Sequence, residues 1–369
     1  MATTYGVCRH TQRRANHRVV ACLAALFAAA ATHAGTIGTA TANGYTFTNF
    51  DFPNSGTNAG AGTNANGISN TGSAVGFTID NNGNFTNWVR NADGTFTALN
   101  LTNQQAMAFG INSAGDVVGQ NNGASFFLPP GGSPETLGAP ANTANAFGIN
   151  DLGNIVGQYT AGALTPGFYV ANSAATSFIE LDAPSGPDTV NAQGVNDLGL
   201  VIGFYVGNDG QDHGFQAGIK NAKNGQLTGT AITDPTIPGV PGEPGATFVF
   251  SQLLGISDSG LVAGYYGDST SSQHGFLYNT TTGQYTFLDD PAEQFHNGVE
   301  VTQITGINNV GEISGFYSDP NGVFHGFVAC PVGSTCTGQS AVPEPVSAML
   351  AGLGLGLLGL CYFRVRRSV

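Results

Sequence analysis

The chain has 369 residues, of which 9% are charged and 55 are glycine. Between positions 35 and 341 the only basic residues are Arg90, Lys220 and Lys223, against 22 acidic ones, so this part carries a net charge of −19. Such a surface excludes nucleic acid and anionic lipid as partners, because both need clustered Lys and Arg, and the Gly, Asn and Thr content with short apolar runs predicts an exported all-β chain.

The N-terminal residues have the pattern of a secretory signal peptide. Four arginines precede an apolar stretch over 19–31, and a small-residue site follows at 32–34. A basic region, a short apolar region and a small-residue cleavage site are the three parts of such a signal. We therefore expect residues 1–34 to be removed on export.

The predicted body, 35–330, contains six copies of a Gly-Ile-Asn-like motif. The copies begin at Gly67, Gly110, Gly148, Gly194, Gly255 and Gly306. In each copy an Asn or Ser opens a tight turn by bonding its own backbone, and a Gly three residues later can take positive φ. A short apolar strand ending in Gly follows, as at Ile155-Val156-Gly157. Each copy therefore predicts a hairpin of two strands.

Two more strands are predicted in each repeat. The third begins with a block that is clearest as His213-Gly214-Phe215, His274-Gly275-Phe276 and His325-Gly326-Phe327. In the first two repeats this block is replaced by Asn87-Trp88 and Ser125-Phe126. A fourth segment alternates apolar and polar residues, as at 95–99, 177–181 and 285–289. Four short strands per repeat are typical of a propeller blade.

The last repeat lacks its fourth strand, and the segment 45–50 has that strand's pattern with no repeat before it. We therefore predict a six-bladed β-propeller whose N-terminal strand closes the last blade. An open β-solenoid is the alternative, because it also stacks short strands with turn Gly and Asn. The Pro- and Gly-rich insertion at 221–246 is predicted to be a surface loop between blade strands.

The ordered set of Gly-Ile-Asn, Val-Gly and His-Gly-Phe motifs resembles the extracellular HAF-repeat family over residues 64–329. The resemblance implies an exported repeat protein and carries no catalytic residues to this chain. Two cysteines remain in the predicted mature body, Cys330 and Cys336. In an oxidising periplasm they are expected to form a disulfide, and the loop between them has no His, Asp or Glu to add to a metal site.

A predicted linker, 331–341, leads to a three-part tail over 342–369 that has the pattern of a sorting signal. The tail combines Val342-Pro343-Glu344-Pro345, an apolar run over 346–363, and the basic residues Arg364, Arg366 and Arg367. Eighteen apolar residues are near the ~20 that cross a bilayer as a helix, and the arginines favour a cytoplasmic C-terminus. The tail resembles the PEP-CTERM signal, which implies cleavage by an exosortase; a plain single-span anchor is the alternative.

The histidines and aspartates that could take part in catalysis are predicted to have structural roles. His213, His274 and His325 occupy one repeat position, whereas an active site needs different groups that converge. Asp151, Asp197 and Asp258 share one turn position, and the adjacent Asp289 and Asp290 are expected to point to opposite faces of a strand. His296 is predicted to lie in a surface loop. No nucleophile elbow, phosphate loop or His-Glu-x-x-His motif is present in the sequence.

No cofactor is expected. Calcium is the ion considered, because the loops 80–84 and 208–212 gather oxygen ligands, but both also have ordinary turn sequences. The sequence therefore predicts a non-enzymatic binding or structural module, exported to the cell surface or the exopolysaccharide matrix. Its expected partners are extracellular polysaccharide or a surface protein, with exosortase during sorting and the membrane before processing. A propeller glycosidase or lyase is the alternative.

Overall fold

The computed structural model describes residues 32–33, 36–101, 105–140, 144–237 and 245–337. They form β-strands and one short 3₁₀ helix, Ile219–Asn221, so the all-β prediction is confirmed. The strands before the first repeat are β1 (Thr32–His33), β2 (Thr36–Ala42) and β3 (Tyr45–Phe50).

Each repeat forms a unit of antiparallel strands. Unit one consists of β4 (Gly62–Ile68), β5 (Ala74–Ile79), β6 (Phe85–Arg90) and β7 (Thr95–Ala98). Unit two consists of β8 (Met107–Ile111), β9 (Val117–Asn121), β10 (Ala124–Leu128) and β11 (Glu135–Thr136). Unit three consists of β12 (Ala144–Ile149), β13 (Ile155–Tyr159), β14 (Gly167–Val170) and β15 (Ile179–Asp182). The first strand of each unit pairs with the second, the second with the third and the third with the fourth.

Units four to six continue the same order. Unit four contains β16 (Val190–Val195), β17 (Leu200–Val206), β18 (Asp212–Gly218), β19 (Gln226–Thr228) and β20 (Thr230–Ala231). Unit five contains β21 (Phe248–Ile256), β22 (Leu261–Asp268), β23 (Gln273–Asn279) and β24 (Gln284–Phe287). Unit six contains β25 (Thr302–Ile307), β26 (Ile313–Ser318) and β27 (Phe324–Pro331). Successive antiparallel sheets of this kind form a propeller-like arrangement.

The glycine of each repeat motif lies close to the first strand of the next unit. A β-bulge precedes it, for example between Ala146 and Gly148 where β12 pairs with β13. A Cβ atom on Gly148 would lie 2.4 Å from the backbone oxygen of Gln193 in the next unit. No side chain fits at that distance, so glycine at this position permits the first strands of neighbouring units to touch.

The apolar core is divided into clusters that each join two neighbouring units. One cluster packs Val156 of unit three against Val190 and Phe215 of unit four. Another packs Phe50 and Val328 of the last unit against Trp88 of the first. The first and last units therefore share a core as consecutive units do, although they are at opposite ends of the repeat region.

Strand β3 supplies the fourth strand of unit six. It pairs antiparallel with β27, with Phe47 opposite Ala329 and Asn49 opposite Phe327. The predicted contact between these segments is thus present. Phe47 is fully buried, and its ring meets the ring of Phe327 edge-on, with centroids 5.1 Å apart. Strand β2 then covers the outer edge of β3.

One feature differs from the sequence predictions. The insertion 221–246 is not simply a loop: β20 pairs with β18 as the fourth strand of unit four, and β19 adds a parallel edge to β15, while residues 238–244 lie outside the described residues. Strand β1, which lies within the predicted signal peptide, pairs with β7.

Units one and two do have third strands, β6 and β10, despite their divergent motifs. No helix of the described residues could cross a membrane.

Candidate functional site

A cavity lies between the first strands of the units. It has a volume of about 240 Å³ and is lined mainly by the Gly-Ile or Gly-Val pairs of the six motifs. Gln193, Gln252 and Gln303 add amide groups to the wall. The wall is therefore close to neutral, and the carboxyl groups that a central-channel hydrolase would need are missing from this lining.

A ring of polar side chains lies beside one end of this cavity. We call it the turn ring; its members are Asn70, Ser113, Asp151, Asp197, Asp258 and Asn309. Most members donate their backbone N–H to a side-chain oxygen in the next unit, for example Asp151 to Asp197 at 3.1 Å and Asp197 to Asp258 at 2.9 Å. Their side chains therefore hold neighbouring units together.

The carboxylate of Asp151 in the turn ring is stabilised by these contacts. Asp151 accepts hydrogen bonds from the backbone N–H and the hydroxyl of Ser113 and from Asn70. Burial opposes the charge of Asp151, but these hydrogen bonds outweigh it and lower its pKa. The predicted structural role of Asp151, Asp197 and Asp258 agrees with this geometry.

The three repeated histidines lie at the opposite end of the sheets, each beside an aspartate. Nδ1 of His213 is 2.8 Å from Asp234, Nδ1 of His274 is 3.1 Å from Asp289, and Nδ1 of His325 is 2.9 Å from Asp51. A second aspartate lies near Nε2 in each case; these are Asp209, Asp268 and Asp319. The equivalent contacts make the three histidines a repeated structural feature.

Unit five differs because additional carboxyl groups surround its histidine. We call this group the acidic cluster; it consists of Asp268, His274, Asp289, Asp290, Glu293 and Glu300. His274 is only 1% exposed, compared with 18% for His213 and 15% for His325. Burial opposes its charge, but the hydrogen bond to Asp289 and the nearby carboxylates raise the pKa of His274 above its usual value.

Two carboxyl groups of the acidic cluster have raised pKa values. Burial raises the pKa of Asp290 to about 6, although Asn49 and the backbone N–H of Ala292 donate hydrogen bonds to it. Burial and the charge of Asp289 raise the pKa of Glu293 well above its usual range. Glu293 also accepts a 2.5 Å hydrogen bond from the hydroxyl of Thr302. A protonated carboxyl next to ionised ones is able to donate a proton.

Sequence reasoning assigned Asp289 and Asp290 but missed this convergence. Glu293 and Glu300 lie in the connection between β24 and β25, which the repeat pattern does not cover. The available signal was local: five of the 23 acidic residues of the chain fall between positions 268 and 300. Asp289 and Asp290 follow the end of β24 and are not on a strand, so the expected opposite faces do not apply; both join the acidic cluster, where they contact His274 and Asn49 respectively.

Two groups of described residues have ligand atoms close enough to hold a metal ion. One combines Glu312 with Cys330 and Cys336, but the structure joins these cysteines in a disulfide with a Cα–Cα distance of 5.5 Å, so they offer no thiolate. The other is His274, Asp289 and Glu293.

The two loops considered for calcium form closed turns in the structure. Asp80 accepts hydrogen bonds from the backbone N–H groups of Asn82 and Asn84, and Asp209 binds His213. His296 is partly exposed and its Nδ1 contacts the backbone oxygen of Pro320. The sorting-signal residues predicted at 342–369 lie outside the described residues.

No family model and no curated protein matches this chain. It is similar to the solved structure of TolB from Acinetobacter baumannii, with a TM-score of 0.45 and 11% identity, covering 69% of this chain and 63% of TolB. It is similar to a mutant of the Aleuria aurantia lectin in complex with Fucα1-6GlcNAc, with a TM-score of 0.39 and 12% identity, covering 79% and 99%.

A third similarity is to a streptogramin B lyase, with a TM-score of 0.41 and 14% identity, covering 78% of this chain and 89% of the lyase. The chain thus spans less than two thirds of TolB and most of the other two proteins. With TM-scores below 0.5, none of these similarities transfers a function to this chain.

Proposed function

We propose that this protein is an exported binding or structural module, built as a six-bladed β-propeller that its N-terminal strand closes. The pairing of β3 with β27 and the apolar core shared by units one and six support the closure. In an open β-solenoid the terminal units would not meet. The N-terminal signal pattern and the PEP-CTERM-like tail motivate export, membrane anchoring and exosortase sorting to the cell surface or matrix.

The observation that carries the binding function is the repeated use of polar side chains within the scaffold. The turn ring binds neighbouring units together, and the histidines of units four, five and six make equivalent aspartate contacts. These groups are committed to structure rather than to one reacting centre. The exposed loops of the units are then the elements that would contact extracellular polysaccharide or a surface protein.

A second candidate function is hydrolysis or elimination on extracellular polysaccharide. The specific observation in its favour is the acidic cluster, which has no equivalent in units four and six. Glu293, whose pKa is raised, would serve as the acid. Asp289, whose charge is one cause of that raised pKa, would serve as the charged partner. Glu293 is half-buried, so solvent reaches its side chain.

The experiment that separates these functions is retention of the purified protein on the producing strain's exopolysaccharide, with and without calcium, followed by sizing of the sugar. We expect retention with no change in chain length. Shortened sugar chains that disappear with Glu293→Gln would instead assign the enzymatic function. No retention would reject polysaccharide binding and direct the search to a protein partner.

A further inference from the structure

The residue that follows each member of the turn ring lies at the tip of its turn. Three of these tip residues are large and aliphatic: Leu152, Leu198 and Val310 are 64%, 76% and 61% exposed. Val332 is 56% exposed and lies near these tips. It follows Pro331, which is close to the turn of unit six, because a Cβ atom on Gly311 in that turn would lie 3.5 Å from Pro331. Four of the seven large hydrophobic residues exposed in the described part of the chain therefore lie at the same end of the sheets. We call this end, with Leu152, Leu198, Val310 and Val332, the turn face.

These aliphatic side chains are not needed to form the turns. Unit five has Ser259 at the tip and keeps the same turn, in which Gly260 donates its N–H to the backbone oxygen of Ser257 at 3.0 Å. Unit four closes the equivalent turn with Leu198 at the tip. Exposed aliphatic groups gathered on one face are typical of an interaction surface.

The described chain ends at this same face. The backbone N–H of Thr337 donates a hydrogen bond to Glu312, next to the turn of unit six. A Cβ atom on Gly72, in the turn of unit one, would lie 2.8 Å from the backbone oxygen of Thr337. The apolar run 346–363 begins nine residues later, and an extended chain of that length spans about 30 Å at most.

We propose that the turn face lies on the bilayer that anchors residues 346–363, with Leu152, Leu198, Val310 and Val332 in the lipid interface. This inference rests on the proposed membrane anchoring and adds the surface that the body presents to the lipid. It applies while the tail is uncut. The short connection holds the turn face close to the membrane, so a few aliphatic contacts that are weak alone gain a high effective concentration.

The chemistry of the face selects a zwitterionic bilayer. The net charge of the body is strongly negative, and Asp151, Asp197 and Asp258 lie beside the tips, so an anionic surface would repel it. Their carboxylates accept hydrogen bonds from neighbouring turns, for example Asp258 from the N–H of Asp197. The polar ring thus retains partners when its rim approaches the headgroups.

Tryptophan fluorescence offers a direct test on the chain with its tail, reconstituted in phosphatidylcholine vesicles with or without brominated acyl chains. The chain has one tryptophan, Trp88, which is fully buried and supplies a constant background. The probe variant is Leu198→Trp, on the turn face. The matched control is Gln211→Trp, an exposed residue in the turn between β17 and β18 at the opposite end of the same unit.

We expect brominated lipid to quench the Leu198→Trp emission and to leave the Gln211→Trp emission unchanged. A third variant in which Leu152, Leu198 and Val310 are all replaced by serine, the residue unit five already has, should keep its Tm and remain anchored. The serine replacements should remove the preferred orientation of the body, so its opposite end should come closer to the lipid. Gln211→Trp in that background should therefore be quenched more than in the wild-type background.

Flotation of the vesicles separates the two proposals. If the protein floats with the vesicles but Leu198→Trp is not quenched, or both probes are quenched equally, the anchoring stands and the orientation is wrong. If the protein does not float, the anchoring is wrong and the lipid-facing surface with it. If the Leu198→Trp emission shifts with protein concentration in the absence of lipid, a second copy of the chain covers the turn face, and the inference is overturned.

Discussion

The backbone N–H of Asn309 donates a 2.7 Å hydrogen bond to Oδ1 of Asn70, 239 positions earlier in the chain. Asn309 lies in the turn of the last repeat and Asn70 in the turn of the first. Next to this bond, Nδ2 of Asn308 donates to the backbone oxygen of Ser69 at 3.0 Å. Units six and one are therefore joined by the same kind of contact that joins units three and four.

Replacing Asn70 with alanine should weaken this junction. The substitution removes the acceptor for the N–H of Asn309 and the donor to Asp151, and we expect a loss of about 1 to 2 kcal/mol in the free energy of unfolding. Denaturant titration measures it. The control is Leu198→Ala at an exposed turn tip, which should change stability by less than about 0.5 kcal/mol. Equal values for the two variants would show that the junction contributes nothing.

Phe47 tests whether β3 is an integral part of unit six. Its side chain is fully buried and contacts Phe327, so Phe47→Ala should cost about 3 to 5 kcal/mol. The matched control is Ile37→Ala on β2, whose side chain is half exposed and should cost much less. A thermal shift for Phe47→Ala no larger than that for Ile37→Ala would mean that β3 is dispensable.

Gly315 tests the close packing behind the Val-Gly part of the repeat. A Cβ atom there would lie 2.1 Å from the backbone oxygen of Gln303 and 2.4 Å from the ring of Phe327, so Gly315→Ala should destabilise the fold by about 3 kcal/mol or more. Gly38 has no atom within 4 Å of its Cβ position and serves as the control. We expect Gly38→Ala to unfold at the wild-type denaturant concentration; a wild-type midpoint for Gly315→Ala as well would contradict the packing explanation.

Stability should decrease as the pH rises from about 5 to 9. The folded-state pKa values of His274, Asp290 and Glu293 are all raised, so each group binds its proton more tightly in the folded protein. Their stabilising effect is complete below the unfolded pKa values and is lost as the pH rises through the folded ones, near 6 for Asp290 and higher for the other two. Each unit of pKa shift corresponds to about 1.4 kcal/mol, or roughly 2 to 4 °C in Tm.

The variant Glu293→Gln isolates the contribution of the acidic cluster to this pH dependence. Glutamine mimics the protonated carboxyl and can still accept the hydrogen bond from Thr302, so the decrease in Tm with rising pH should become shallower. Thermal unfolding at several pH values measures the slope. Glu135→Gln, at an exposed position on β11, is the control and should leave the slope unchanged. If both variants keep the wild-type slope, Glu293 does not hold an extra proton in the folded state.

Several features of the fold follow from local sequence. A tight turn needs an Asn or Ser whose side chain bonds the nearby backbone and a Gly that takes positive φ, as Asn150 and Gly153 do. Alternating side chains define a strand because successive residues point to opposite faces. These rules concern neighbours in the chain, so they identified the repeats, the all-β class and the strand 45–50 that completes the last unit.

Other features depend on groups that the sequence keeps far apart. The strand β20 falls in a Pro- and Gly-rich insertion, and only its pairing with β18 makes it a strand. The acidic cluster combines residues from β22, β23 and the connection to β25, whose pKa values depend on burial that no spacing reveals.

The sequence alone therefore determined the repeated turn chemistry, the strand periodicity and the disulfide candidates Cys330 and Cys336, because each depends on residues close together in the chain. Only the tertiary structure decided that Asn309 meets Asn70, that His274 lies among carboxyl groups, and that the aliphatic turn tips share a face with Thr337. These relationships arise when the units pack side by side, since packing sets long-range distances, burial and charge proximity.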